Sequence, residues 1–226
     1  MITVSLIGPD GSGKTTLARR LVAELPFPAE RLYMGVNPDA SGRLLPTTRL
    51  AWALKRARGR QPDAGPPSRP GTAPRRRGPR AGLRALLRTT NLIAEEVYRH
   101  ALVARLRRRG TVVVTDRDFW ADYAAHDLER GHHRTLARRL HGVVLQHCFR
   151  RPDLVVYLDA PAEVLLARKG EGTLELLRSR QQDYLRLEPL VPDFRRVDVD
   201  RPIELVVADL AGLVVAARER RAAVPA

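Results

Sequence analysis

An α/β fold, a parallel sheet covered by helices on both faces, is what the sequence predicts, on three observations. Short β-branched apolar runs alternate with segments of helical periodicity. Several of those runs are apolar almost without interruption, the pattern of strands buried on both faces. A glycine-rich turn joins the first run to the first helix.

The elements follow in order. Ile2 to Ile7 is short, rich in β-branched residues and bounded by Gly8 and Pro9, as a central strand would be. From Lys14 to Leu25 the residues Leu17, Leu21, Val22 and Leu25 recur at helical spacing until Pro26 stops them. "RLYMG" (31–35) is read as a second strand. Residues 60–80 hold six prolines and no large apolar side chain, so a disordered insertion is expected there. Helical periodicity resumes at Gly82 and runs to about Arg109, with Gly110 as its stop. "TVVVTD" (111–116) and "DLVVYLD" (153–159) are buried strands, each ending in aspartate and each followed by helix, at 134–150 and 161–168. "GTLELLRSRQQDYLRL" reads as a helix, "FRRVDVD" as the last strand and 202–221 as a terminal amphipathic helix. The 226 residues suit one α/β domain spanning 1–226.

Composition narrows the function. No apolar run reaches the ~20 residues of a membrane-spanning helix. "MITVSLI" lacks the basic start of a signal peptide, so a cytoplasmic protein without a membrane role is expected. Cys148, the single cysteine, is expected as a small buried residue, and adjacent His132 and His133 as surface residues rather than metal ligands. The net charge is +15, but the stretch from Arg43 to Arg88 carries thirteen Lys or Arg and one acidic residue, Asp63, so it supplies +12 of it. Arg outnumbers Lys 37 to 3, a bias that weakens inference from any one arginine.

The turn carries the chemistry. Gly8, Gly13, Lys14 and Thr15 in "GPDGSGKTT" fit G-x-x-x-x-G-K-[ST], the phosphate-binding P-loop, placed between a strand and a helix as that motif requires. Its glycines, Gly11 included, allow successive N–H groups, with Ser12 and Thr16 beside them, to converge on phosphate. Lys14 can then reach the β- and γ-phosphates of ATP, and the Thr15 hydroxyl can ligate Mg²⁺. Asp116, at the carboxyl end of its strand, is the expected second metal-organising group. Asp159 ends its strand similarly, but a helix cap before Pro161 accounts for it equally. No N-K-x-D guanine-reading sequence occurs, and nothing resembles the extra modules of large ATPase motors. Arg117 can stabilise a transferring phosphoryl group or clamp an acceptor phosphate. Arg168 and Lys169 precede a glycine-rich loop that reads as a lid at about 168–173.

"GPDGSGKTT", "DRD" after a buried strand, and "PDLVVYLDAPAEVLLAR" before a helix ending "DYLRL" together resemble the thymidylate kinase family of P-loop nucleoside monophosphate kinases, over roughly 1–35 and 85–210. The resemblance implies the three-layer P-loop NTPase fold with a five-stranded parallel sheet and a short lid, and transfer of phosphoryl from ATP to a monophosphate. By the same resemblance Asp10 is the P-loop carboxylate facing the acceptor sugar, Arg117 the arginine of the Asp-Arg pair, and Arg168 the first lid arginine. The family follows its second strand with Arg-Glu-Pro-Gly-Gly, where this chain reads "YMGVNPDASGR". Its base-reading phenylalanine and arginine correspond, without gaps, to Asn91 and Glu95. An ionised glutamate only accepts hydrogen bonds, so thymidine monophosphate is expected to be a poor substrate.

Two other functions remain open at this stage. A kinase for a non-nucleotide alcohol or sugar would use Asp10 or Asp118 as base. A nucleic-acid-associated P-loop protein would use the Arg-rich insertion, although without interleaved aromatics it offers only non-specific, salt-sensitive attraction. A small-molecule phosphate acceptor is the expected partner, and a homodimer stays open.

Overall fold

The computed structural model describes residues 1–35, 44–57, 79–121, 143–144, 148–170 and 172–223. Five strands form one sheet in the order β2-β3-β1-β4-β5: β1 Thr3–Ile7, β2 Ala29–Tyr33, β3 Val112–Asp116, β4 Leu154–Asp159 and β5 Phe194–Asp198. Every neighbouring pair is parallel, with Val4 opposite both Val114 and Leu154. The central strands β1 and β3 are buried at every position, which is why they read as unbroken apolar runs.

Helices cover both faces, and side-chain alternation assigns each residue its layer. On one face Val4, Leu6, Val112, Val114, Val156 and Leu158 pack against α1 (Lys14–Glu24) and α6 (Ile203–Ala223). Leu17 and Leu21 of α1 meet Val206, Leu210 and Val214 of α6 there, each set at helical spacing. On the other face Val113 packs with Val103 and Leu106 of α3 (Pro79–Arg108), while Val155 and Tyr157 pack with Tyr184 of α5 (Leu174–Leu185). Between them α4 (Ala162–Lys169) follows β4, and Gly170, at φ 67°, ends it.

Several expectations change. The helix α2 (Pro46–Ala57) was not anticipated; it opens on proline, and its Thr48 is buried against Asn91 of α3. β2 starts two residues before "RLYMG", because Ala29 already pairs with Val112. α3 begins at Pro79, inside the segment expected to be disordered; residues 60–78 lie outside the described residues. Cys148 is exposed rather than buried, since it sits in the turn that leads into β4. His132, His133 and most of the helix expected over 134–150 lie outside the described residues. No helix among the described residues is long and apolar enough to cross a membrane.

Candidate active site

The P-loop closes over its own lysine. Gly8, Gly11 and Gly13 have φ of 148°, 90° and 81°, a region that side-chain-bearing residues avoid. Space excludes a side chain as well: a Cβ on Gly11 would stand 2.5 Å from the Leu165 carbonyl oxygen, and one on Gly8 2.7 Å from that of Leu158. The loop therefore lies against β4 and α4 as bare backbone. Lys14 Nζ donates to the carbonyls of Gly8 and Pro9, both at 2.7 Å, and to Ser12 Oγ at 3.4 Å. Gly13 caps α1 without a side-chain hydrogen bond, so no side chain satisfies the first N–H groups of the helix, beside exposed Thr15 and Thr16, an arrangement able to bind an anion.

Asp116 ends β3 on the same face as Val112 and Val114, the face that α1 covers. It is 1% exposed; Oδ2 accepts from Arg31 of β2 at 3.0 Å, while buried Oδ1 has no hydrogen-bond partner. An orphaned carboxylate oxygen in the layer of the P-loop, with the Thr15 hydroxyl on the first turn of α1, suits a hard cation that takes most of its ligands from phosphate and water. Among the described residues no group of three His, Cys, Asp or Glu could hold a metal by itself. The donor set fits Mg²⁺ bound together with a nucleotide.

Asp10 is the hub of the loop. Oδ1 accepts from Arg117 at 2.8 Å and stands 3.5 Å from Lys169 Nζ, while Oδ2 accepts from Arg180 of α5 at 2.8 Å. Burial opposes its charge, but Arg117, Lys14, Lys169 and Arg180 outweigh burial and hold the carboxyl well below the usual carboxylate range. Arg117 adopts φ 73°, alone among the described non-glycine residues, with its N–H donating to Leu6 O. Such a backbone is strained, and strained residues cluster at functional sites.

Lys169 and Arg180 thus join the site, whereas Arg168 turns to Val199 O (3.1 Å) and Asp200 (3.3 Å). Arg31 and Arg180 escaped the sequence reading, lying 85 and 170 residues from their carboxylate partners in a chain full of arginine. Asp159 caps nothing: Tyr157, Gln181 and Arg196 all donate to it. Asp118 Oδ1 accepts from the Ala121 N–H and caps the helical turn that starts at Phe119.

Asn91 is exposed and its amide donates to Thr48 Oγ1 at 3.1 Å. Glu95 is 5% exposed; Oε1 accepts from the Leu45 N–H at 2.9 Å, and Oε2 stands 3.4 Å from Arg99 Nε, too skewed for a hydrogen bond. Arg99, 2% exposed, donates to the carbonyls of Tyr33 (3.1 Å) and Gly35 (2.6 Å) and lies over the Phe119 ring. Burial lowers its pKa from the usual arginine value, with Glu95 in opposition. Glu95 is therefore engaged with its own helix neighbour and with the start of α2.

Comparison with known proteins bears on the family. A family model described as an AAA domain matches residues 4–171, from β1 through α4. The chain is 31% identical over 180 residues to the thymidylate kinase of Thermomicrobium roseum, covering 80% of this chain and 73% of that one. It is 29% identical over 123 residues to a probable thymidylate kinase of Thermococcus gammatolerans (51% of this chain, 56% of that one). For a probable thymidylate kinase of Pyrococcus horikoshii the identity is 33% over 114 residues (46% and 52%). Against these two archaeal proteins the chain spans just over half of their length. P-loop, parallel sheet and matched relatives lead to one family: the chain carries an AAA-type P-loop domain and belongs to the thymidylate kinase-like family of P-loop proteins.

Proposed function

We propose that the protein is a Mg²⁺-ATP-dependent phosphotransferase that moves the γ-phosphoryl group of ATP to a nucleoside monophosphate or a similar small phosphate acceptor, in the cytoplasm. The observation that carries this reading is the convergence of Lys14, Arg117, Lys169 and Arg180 on Asp10, at the mouth of the P-loop. The loop N–H groups and Lys14 bind the polyphosphate and offset charge that develops during transfer. Thr15 and Asp116 would hold Mg²⁺, which when bound would supply positive charge to offset that of the polyphosphate. Arg117 and Arg180, each bonded to one oxygen of Asp10, are two planar cations that suit an acceptor phosphate.

The same cluster weighs against a hydroxyl acceptor. An alcohol has to lose a proton, and a useful base has a pKa near the working pH. Asp10 is held far below that range, and Asp118 is occupied as a helix cap. An acceptor phosphate is already ionised and asks for no base.

Among monophosphates we place thymidine monophosphate low. Asn91 and Glu95 stand where the resembled family has its base-reading phenylalanine and arginine, and both are engaged elsewhere: the Asn91 amide donates to Thr48 and Glu95 accepts from the Leu45 N–H, so neither supplies a donor for a thymine carbonyl. ADP release over a panel of nucleoside monophosphates, nucleosides and sugars, with and without EDTA, tests the reading. Acceptor-dependent release that requires a monophosphate and stops in EDTA is expected. Undiminished release in EDTA, or a preference for unphosphorylated alcohols, overturns it; a clear preference for thymidine monophosphate overturns the ranking alone.

A further inference from the structure

Two side chains one helical turn apart on α3 reach both ends of the connection between β2 and α2. Arg99 donates to the carbonyls of Tyr33 and Gly35, where the chain leaves β2. Glu95 accepts from the Leu45 N–H, just before α2 begins. The two are paired at 3.4 Å across an i, i+4 step, both almost fully buried. A buried ion pair is weak evidence for a stability role, because well-packed apolar residues usually serve as well or better. Its geometry has to be explained by what it holds.

What it holds is the surroundings of Arg117. A Cβ on Gly35 would stand 2.7 Å from Arg117 Cδ and 2.4 Å from Tyr33 Oη, so the Gly35 backbone lies directly against the Arg117 stem. Phe119, two residues beyond Arg117, carries the Arg99 guanidinium over its ring at 5.4 Å. Arg99 thus reaches the surroundings of Arg117 twice, by a hydrogen bond at Gly35, which lies against the Arg117 stem, and by a cation–π contact at Phe119, two residues beyond the strained Arg117 backbone. We propose that Glu95 and Arg99 form a positioning clamp that fixes Gly35 against Arg117, and so sets the affinity for the acceptor phosphate without touching it. The proposal rests on the phosphotransferase reading and assigns Glu95 a role behind the acceptor site rather than in contact with the acceptor's head group.

The test compares Arg99→Met, Arg99→Lys and Glu95→Gln with the wild type. The readouts are thermal stability, affinity for a non-hydrolysable ATP analogue, KM and kcat for the best monophosphate of the panel, and hydrogen exchange at the Leu45 amide. Arg99→Met is expected to raise the acceptor KM by about tenfold or more, while ATP-analogue affinity stays within about twofold. Arg99→Lys, which can still donate to a carbonyl, should recover part of the loss, and Glu95→Gln should speed exchange at Leu45. An unchanged acceptor KM overturns the proposal, as does parallel loss of acceptor and ATP-analogue affinity in step with stability. If Arg99→Met does not fold, Arg99→Lys and Glu95→Gln carry the same comparison. Wild-type turnover decides the phosphotransferase reading separately: with no acceptor phosphorylated, that reading and the acceptor role fail together, while Leu45 exchange still reports whether the pair holds the chain.

Discussion

Asp10 faces more positive charge than one carboxylate can neutralise: Arg117, Lys14, Lys169 and Arg180 all act on it. The excess is what a polyphosphate and an acceptor phosphate would satisfy. Because its folded pKa lies below its unfolded value of about 4, Asp10 contributes stability that is complete above about pH 5 and erodes as pH falls through the folded value. Asp10→Asn should be less stable at neutral pH, since the cations lose their counter-charge, yet lose less stability between pH 5 and 3 than the wild type. Thermal melts across that range measure it, and equal acid sensitivity would contradict the geometry. Lys14→Ala addresses catalysis instead. Removing the lysine should lower kcat by about 100-fold or more, as loss of one preorganised transition-state donor does elsewhere, far beyond the fall in stability of about 1–3 kcal/mol expected from its lost bonds to Gly8 and Pro9. Stopped or steady-state ADP release beside a melt separates the two effects.

At the scale of elements, the site depends on helix ends and bare backbone. The Thr173 side chain caps α5 by accepting from the Leu176 N–H, and α5 delivers Arg180 to Asp10. Thr173→Ala should cost about 1 kcal/mol of stability, read in a denaturant melt. Gly11→Ala meets both a positive φ and the Leu165 carbonyl, so at least about 1–3 kcal/mol of strain is expected together with weakened ATP-analogue binding. The inner strands β1, β3 and β4, with α1, α4, α5 and α6, were legible because local pattern and burial coincide there. α2 was not, because "PTTRLAWALKRA" leads into the proline-rich tract and its register depends on Thr48 meeting Asn91, a tertiary contact. Among the candidate site residues, Lys14 and Thr15 came from the motif, Asp116 and Arg117 from the end of an apolar strand, and Asp10 from the resemblance. Glu95 was read from an ungapped count against the family, which does not reveal its partner; Arg99 stands at i+4, a spacing visible in the sequence. Arg31 and Arg180 could be recognised only through contacts that the sheet creates.

For the molecule as a whole, charge and chemistry occupy different parts of the chain. Most of the +15 net charge lies between Arg43 and Arg88, while the P-loop cluster is built from residues near 10, 117, 169 and 180. Deleting residues 60–77, which leaves α3 to begin at Pro79, should preserve folding and phosphoryl transfer, since the deleted stretch has no large apolar side chain to bury. Binding of the intact protein to DNA or RNA should weaken steeply with salt and show no sequence preference, and the deletion should weaken it further. Loss of turnover at saturating substrate in the deletion variant would place that stretch in the active site.

The position of β1 also has a consequence for synthesis on the ribosome. The strand is the third in the sheet order, and its partners are Val113–Asp116 on one side and Leu154–Tyr157 on the other. It is therefore the first strand of the sheet to be made, and its second edge is covered only when β4 arrives. At ~5–20 residues per second, roughly 8–30 s pass between the emergence of β1 and that of β4. Through that interval an apolar strand with an unpaired edge is open to other nascent chains. The P-loop, which needs Leu158 and Leu165 to lie against it, takes shape only after about the first 165 residues are out. Chains that stall before β4 would present the hydrophobic strand without the phosphate site, the form a holdase chaperone would capture.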